Sequence, residues 1–209
     1  MDQNVKHGPT LFTEQDTYLF KQGNHFKLYD KLGSHPMTVD RADGMHFAVW
    51  APNATEVSVV GDFNGWDPKK HKLASRWDGT GIWEGFIPGL KTGIIYKYHI
   101  KSRENNYTVD KGDPYAYSWE LSPNTASMTW DLQYEWDDRQ WMHDRHKHNN
   151  LHAPMSIYEV HLGSWMRIPE DNRFLNYREI APLLVKYVKE MGFTHIELMP
   201  VMEHPFYGS

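Results

Sequence analysis

Between residues 38 and 132 the apolar positions come in short runs separated by turn residues. Met45–Trp50 alternates, with Phe47 and Val49 among small or polar neighbours. Glu56–Val60 follows a Pro52-Asn53 turn, and Ile82–Ile87, Ile94–Lys101 and Tyr107–Val109 follow in order. Asp78-Gly79-Thr80-Gly81, Pro88-Gly89 and Glu104-Asn105-Asn106 separate them, and Ser127–Asp131 can close the set. Short strands at this spacing predict an all-β, immunoglobulin-like sandwich. Residues 1–37 have a different texture, partly helical and then a loop through Gly33-Ser34-His35-Pro36, with no chemistry of their own.

Residues 133–153 are polar and predict a linker with at most a short helix. From residue 154 to 209 the period changes. Ser156–Leu162 predicts a strand, Tyr177–Met191 a helix and His195–Val201 a second strand. The helix shows Ile180, Leu183, Leu184, Tyr187, Val188 and Met191 on one face. Asn176 with Glu179 resembles a capping box, and Gly192 suits the position after the helix. Pro182 predicts a kink or a later start. Strand, helix, strand is a βαβ unit, which belongs to a parallel sheet. A closed (β/α)₈ barrel needs about 250 residues, so this region predicts only the opening of one.

Composition narrows the classes. The apolar fraction of 40% in 209 residues supports a buried core, and a net charge of −5 gives no broad basic surface for nucleic acid or anionic lipid. No cysteine is present, which excludes disulfides and thiolate metal sites and suits a reducing cytoplasm. No signal-peptide pattern opens the chain, and no apolar run is long enough to span a membrane. The chain holds 9 Trp, 12 Tyr and 9 Phe, side chains that join an apolar face to a polar handle.

The aromatic surplus gives one stretch particular interest. In Val59–Pro68, "VVGDFNGWDP", a strand stops at an Asn64-Gly65 turn with Trp66 beyond it. Asn and Gly both tolerate positive φ, which makes the pair a strong turn signal. Trp66 either pins the turn onto a core or offers a flat apolar plate to a flat ligand such as a sugar ring; Trp77 is expected to seal the sandwich or pack it onto its neighbour, and no ligand role is assigned to it. His143, His146, His148 and His152 lie close together, but nothing beside them completes a closed metal site, and no metal or other cofactor is expected. His161 and His195 predict buried, satisfied strand histidines. Asp137 and Asp138 predict solvated linker residues, and Glu159 and Glu197 structural strand residues.

Two motif sets carry a resemblance covering the chain from about Gly23 onward. "FAVWAP" with "EVSVVGDFNGWD" resembles a family 48 carbohydrate-binding module. "SIYEVHLGSW" with "MGFTHIELMPVMEHPFYGS" resembles the opening of the catalytic barrel of glycogen branching enzymes, members of the α-amylase superfamily. The resemblance implies a parent enzyme that cleaves an α-1,4 bond with a carboxylate nucleophile and transfers the glucan to a 6-hydroxyl, with a second carboxylic acid as proton donor. The family places those carboxylates on later barrel strands, so none is carried over to this sequence, and the chain alone is expected to be inactive. The missing remainder of the barrel is the implied partner, and an α-glucan the implied ligand.

For the module the resemblance implies glucan contacts at Trp66 and at Lys97 in "YKYHI", with Tyr107 where glucan-binding members place a Trp. Glu203, after the second barrel strand, is implied to line a donor groove. Packing of the module onto the barrel is the competing role for its aromatics. Two alternatives stand beside this reading: a stand-alone glucan-binding or regulatory module, and the N-terminal part of a debranching or trehalose-releasing hydrolase. The first leaves the βαβ segment without a purpose, and the wording of "YEVHLGSW" disfavours the second.

Overall fold

The computed structural model describes residues 4–202. They form two compact units, one running to Gln133 and one spanning Tyr134–Met202. The first opens with α1 (Glu14–Lys21), started by a capping box in which Asp16 accepts from the Thr13 amide at 2.8 Å and Thr13 accepts from the Asp16 amide at 3.2 Å. Nine strands follow: β1 (Gly33–Val39), β2 (Ala42–Trp50), β3 (Ala54–Gly61), β4 (Ala74–Ser75), β5 (Ile82–Pro88), β6 (Ile95–Ser102), β7 (Thr108–Lys111), β8 (Ser118–Trp119) and β9 (Ser127–Met128). One sheet has the order β1-β2-β5-β4, the other β3-β6-β9-β8 with β7 also paired to β6, and every pairing is antiparallel.

Alternation puts one face of each sheet inward. Met45, Phe47 and Val49 from β2 and Ile87 from β5 meet Val57 and Val59 from β3 and Tyr96 and Tyr98 from β6 in one buried cluster. The unit is a β-sandwich. The other face of the first sheet is covered as well. Ala48 and Ile82 pack under Phe12 and Leu32, with Phe20, Leu28 and Tyr115 against them. The segment from Phe12 to Leu32 therefore forms a third layer.

The sequence expectation fails at Gly33–Pro36. These residues are not a loop but the start of β1, in register with β2 from Gly33 opposite Ala48 to Val39 opposite Ala42. Pro36 hid the strand. It is tolerated because β1 is an edge, where a proline need not remove a ladder bond. β1 also runs across the boundary expected at residue 38. β4 and β8, two residues each, were too short to leave a pattern, and the closing strand keeps regular geometry only at Ser127–Met128.

In the second unit, α2 (Arg139–His148) occupies the stretch expected as a linker. β10 (Ile157–Val160) ends earlier than expected because His161 leads into one short helical turn, α3 (Leu162–Trp165). α4 (Tyr177–Glu190) then begins at the Asn176–Glu179 capping box and continues through Pro182, whose ring forfeits the backbone bond to residue 178. β11 (His195–Leu198) lies parallel to β10, so the segment is a βαβ unit. Its core is small: Val160, Leu184 and Val188, flanked by Tyr158, Leu162, Trp165 and Phe193. Of the six residues expected on the apolar helix face, only Ile180, Leu184 and Val188 are buried.

A carboxylate sits at the centre of the sandwich. Asp113 is fully buried; its Oδ2 accepts from the Tyr96 hydroxyl at 2.7 Å and the Tyr98 hydroxyl at 3.0 Å, and its Oδ1 from the Tyr115 amide at 2.8 Å. Burial raises its pKa to about 6, against the pull of those three hydrogen bonds. A folded-state value above the unfolded one means stability present at low pH and lost as pH rises through 6. His35, whose pKa burial lowers, acts in the opposite sense in the same range, so the comparison must isolate Asp113. Between pH 7.5 and 4.5, urea denaturation should show wild type gaining about 2 kcal/mol relative to Asp113→Asn. A pH-independent difference would refute the assignment.

Candidate functional site

β3 ends at Gly61, where the chain passes so close to β6 that a Cβ would stand 2.3 Å from the Ile95 carbonyl oxygen. One turn of 3-10 helix, Asp62–Asn64, follows. Asn64 does not take the left-handed conformation its turn signal suggested. Its side chain is buried: Oδ1 accepts from the Gly61 amide at 3.1 Å and Nδ2 donates to the Val59 carbonyl at 2.9 Å. The left-handed pair is Gly65 at φ 68° and Trp66 at φ 59°. For a non-glycine residue that backbone costs roughly 1–2 kcal/mol.

The turn holds Trp66 at both ends. Its amide donates to the Gly61 carbonyl at 3.0 Å, and its indole Nε1 to Asp62 Oδ1 at 2.7 Å. The polar handle is satisfied within the turn, and the ring is 38% exposed. Lys97 lies between Tyr96 and Tyr98 on β6. Both tyrosines point inward, so Lys97 points outward. It is in register with Val60, the residue before Gly61, and its Nζ donates to Thr125 Oγ1 at 2.8 Å. Trp66 and Lys97 are thus anchored to neighbouring residues at one end of the β3–β6 pair.

Tyr107 is not brought to them. Its carbonyl accepts from the Ser102 amide at 2.8 Å, extending the β6–β7 ladder. Ser102 is five residues from Lys97, about 16 Å along a strand, and of opposite parity, so Tyr107 emerges from the other face of the sheet. Its ring is exposed. Glu203 lies outside the described residues. Trp77 does not seal the sandwich, being 94% exposed and outside every core cluster.

The remaining candidates separate cleanly. Among the described residues no group of three His, Cys, Asp or Glu is placed to hold a metal, and no helix is long and apolar enough to cross a membrane. His161 and His195 are not buried as expected. His161 is exposed and meets Ser164 Oγ at 3.0 Å, and His195 is half-buried beside Thr194 Oγ1 at 2.8 Å. Glu159 and Glu197 stand directly opposite each other on β10 and β11, both exposed. Neither carboxylate pairs with a cation among the described residues. Two groups escaped the sequence reading. Asp113 was hidden in a loop signal, Asp113-Pro114. The other is Arg76, nearly buried, which donates to Asp78 Oδ2 at 2.8 Å, Glu84 Oε1 at 2.6 Å and Thr10 Oγ1 at 2.7 Å.

Comparison with known proteins places these features. Residues 31–116 match carbohydrate-binding module 48, described as the isoamylase N-terminal domain. Trp66 and Lys97 both lie within the matched residues. Over nearly its whole length the chain also resembles 1,4-α-glucan branching enzymes. It is 54% identical to the branching enzyme GlgB of Aquifex aeolicus, over 96% of this chain and 32% of that protein. With GlgB of Albidiferax ferrireducens it shares 55% identity, over 94% of this chain and 31% of that protein. The chain thus spans about a third of the length of the curated relatives it matches. Among solved structures, the GBS pullulanase SAP in complex with maltotetraose superposes with a TM-score of 0.56 at 20% identity, covering 84% of this chain and 24% of that one. That likeness speaks for the fold.

The turn's construction has a direct consequence. Asn64→Ala leaves a buried amide and a buried carbonyl without partners and should cost about 2–4 kcal/mol in urea denaturation. Trp66→Ala removes a half-exposed ring and should cost less than about 1 kcal/mol. Equal losses would mean that Asn64 does not hold the turn.

Proposed function

We propose that this chain is the N-terminal part of a glycogen branching enzyme, whose parent protein moves α-1,4-glucan segments onto 6-hydroxyls to form α-1,6 branches. The sandwich holds α-glucan, with Trp66 stacking on one sugar ring and Lys97 donating to hydroxyls. The observation that carries this reading is the anchoring of an outward lysine and a handle-satisfied tryptophan to adjacent residues of β3. A polymer of flat rings edged with hydroxyls matches that pairing of apolar plate and cationic donor. Thr125, bonded to Lys97, keeps the ammonium at the sheet surface. Tyr107 serves as a separate contact on the far side of the sheet, and Glu203 lines the donor groove of the parent enzyme.

The βαβ segment reads as the opening of a (β/α)₈ barrel. Ile157, Ile196 and Leu198 are exposed on its strands, although parallel strands normally bury both faces. The Glu159–Glu197 pair also calls for further structure, because side-by-side carboxylates repel until a cation faces them. Neither serves as nucleophile or proton donor in this reading. The cysteine-free composition suits a cytoplasmic enzyme.

Titration of the chain with maltoheptaose, followed by ligand-observed NMR, should give binding that Trp66→Ala weakens about tenfold. Unchanged affinity and stoichiometry in that variant overturn the assigned contact. Incubated with amylose, the chain by itself should generate no new α-1,6 linkages by NMR. Branching above background overturns the view that the catalytic carboxylates belong to the rest of the parent enzyme.

A further inference from the structure

Trp77 is the most exposed tryptophan of the described residues, and the residue after it is held by hydrogen bonds on several sides. It lies on the turn between β4 and β5. The next residue, Asp78, accepts from the Thr80 amide at 3.1 Å and hydroxyl at 2.7 Å through Oδ1, and from Arg76 Nε at 2.8 Å and the Thr17 hydroxyl at 3.2 Å through Oδ2. Lys21 Nζ donates to the Asp78 carbonyl at 2.6 Å. The middle and the C-terminal end of α1 are thereby tied to the turn. A second tryptophan is fastened to the same turn: Trp50, 56% exposed, donates its indole Nε1 to the Thr80 carbonyl at 3.0 Å and receives the edge of Phe20 at 6.1 Å between ring centres.

An aromatic ring that only fills space is covered by its neighbours. Trp77 makes no hydrogen bond or ring contact among the described residues, yet everything beneath it is fixed. Such a plate is preorganised, so a ligand stacking on it does not also have to order the turn. Thr17 and Lys21 reach the same turn from α1, and Arg76 and Asp78 lie beneath it with nearly buried side chains. Flat apolar faces edged by donors and acceptors suit a sugar ring better than a peptide.

We infer that Trp77 and Trp50, presented by the braced Arg76–Thr80 turn beside Lys21, form a second α-glucan platform on the opposite sheet from Trp66 and Lys97. This rests on the reading that the module binds α-glucan. Its consequence is bivalency. One module engages two chains of a branched polymer, or two turns of one chain, and the second contact is made at high effective concentration.

The test uses the whole chain and four forms: wild type, Trp66→Ala, Trp77→Ala and the double variant. Trp77 is exposed, so its replacement should leave the melting temperature unchanged, and that is checked first. Retardation in gels containing glycogen, and maltoheptaose titration by calorimetry, supply the readouts. Wild type should titrate with two sites, each single variant with one, and the double variant with none. Retardation by glycogen should drop about fivefold or more in each single variant. If Trp77→Ala retains both sites, or adds nothing in the Trp66→Ala background, the second platform is overturned while the first stands. Loss only in Trp77→Ala upholds this platform and refutes the one at Trp66. No binding by wild type overturns both.

Discussion

Asp113 is the group on which the geometry of the module depends. A carboxylate with no water around it must be paid back in hydrogen bonds, and two of those come from alternate residues of one strand, Tyr96 and Tyr98. Two hydroxyls two residues apart fix both the position of β6 and its face. Its amide donates to Ser127 Oγ at 2.7 Å, drawing in β9, and Tyr115 caps its other oxygen. Lys97 has no freedom left. With its neighbours pinned inward, it must project outward, where Thr125 meets it two residues before Ser127. The buried tie and the surface cation are consecutive features of the same strand.

The sandwich was legible because short apolar runs around Phe47, Val59 and Phe86 are cut by turn residues at strand spacing, with alternation clear around Phe47. The capping box at Asn176 was legible for a local reason: side chain and backbone lie within three residues. What the sequence hid depends on distant partners. β1 looked like a loop because Pro36 and Gly33 are breakers, and only its pairing with β2 overrides them. Asn64-Gly65 announced a turn correctly but not its mechanism, since whether Asn64 bends its backbone or spends its side chain depends on Val59 and Gly61. Tyr107 seemed a plausible companion to Lys97 in one dimension; the length of the β6–β7 hairpin puts it at the other end of the sheet and on the other face.

The two units differ in how completely they answer their own patterns. In the first, both faces of the β1–β2–β5–β4 sheet are covered, one by the opposing sheet and one by the layer containing Phe12 and Leu32. Arg76 locks that layer down, reaching Thr10 and Thr17 from the β4–β5 turn. In the second, one face of β10 and β11 meets α4 and the other meets nothing described, which is why His161 and His195 are more open than their strand positions suggested. The helix pattern was read correctly as amphipathic, but Leu183 and Met191 remain exposed, while Tyr187 packs edge-on against Tyr158 and Trp165.

On the proposed glucan-binding reading, the left-handed backbone of Trp66 sets stability against ligand capture at a single codon. Glycine adopts that conformation freely, and asparagine does so more easily than tryptophan. A library screened only for heat resistance should therefore enrich Gly or Asn at position 66 and discard the aromatic plate without disturbing the fold. Such a loss would be one form of the trade between activity and stability.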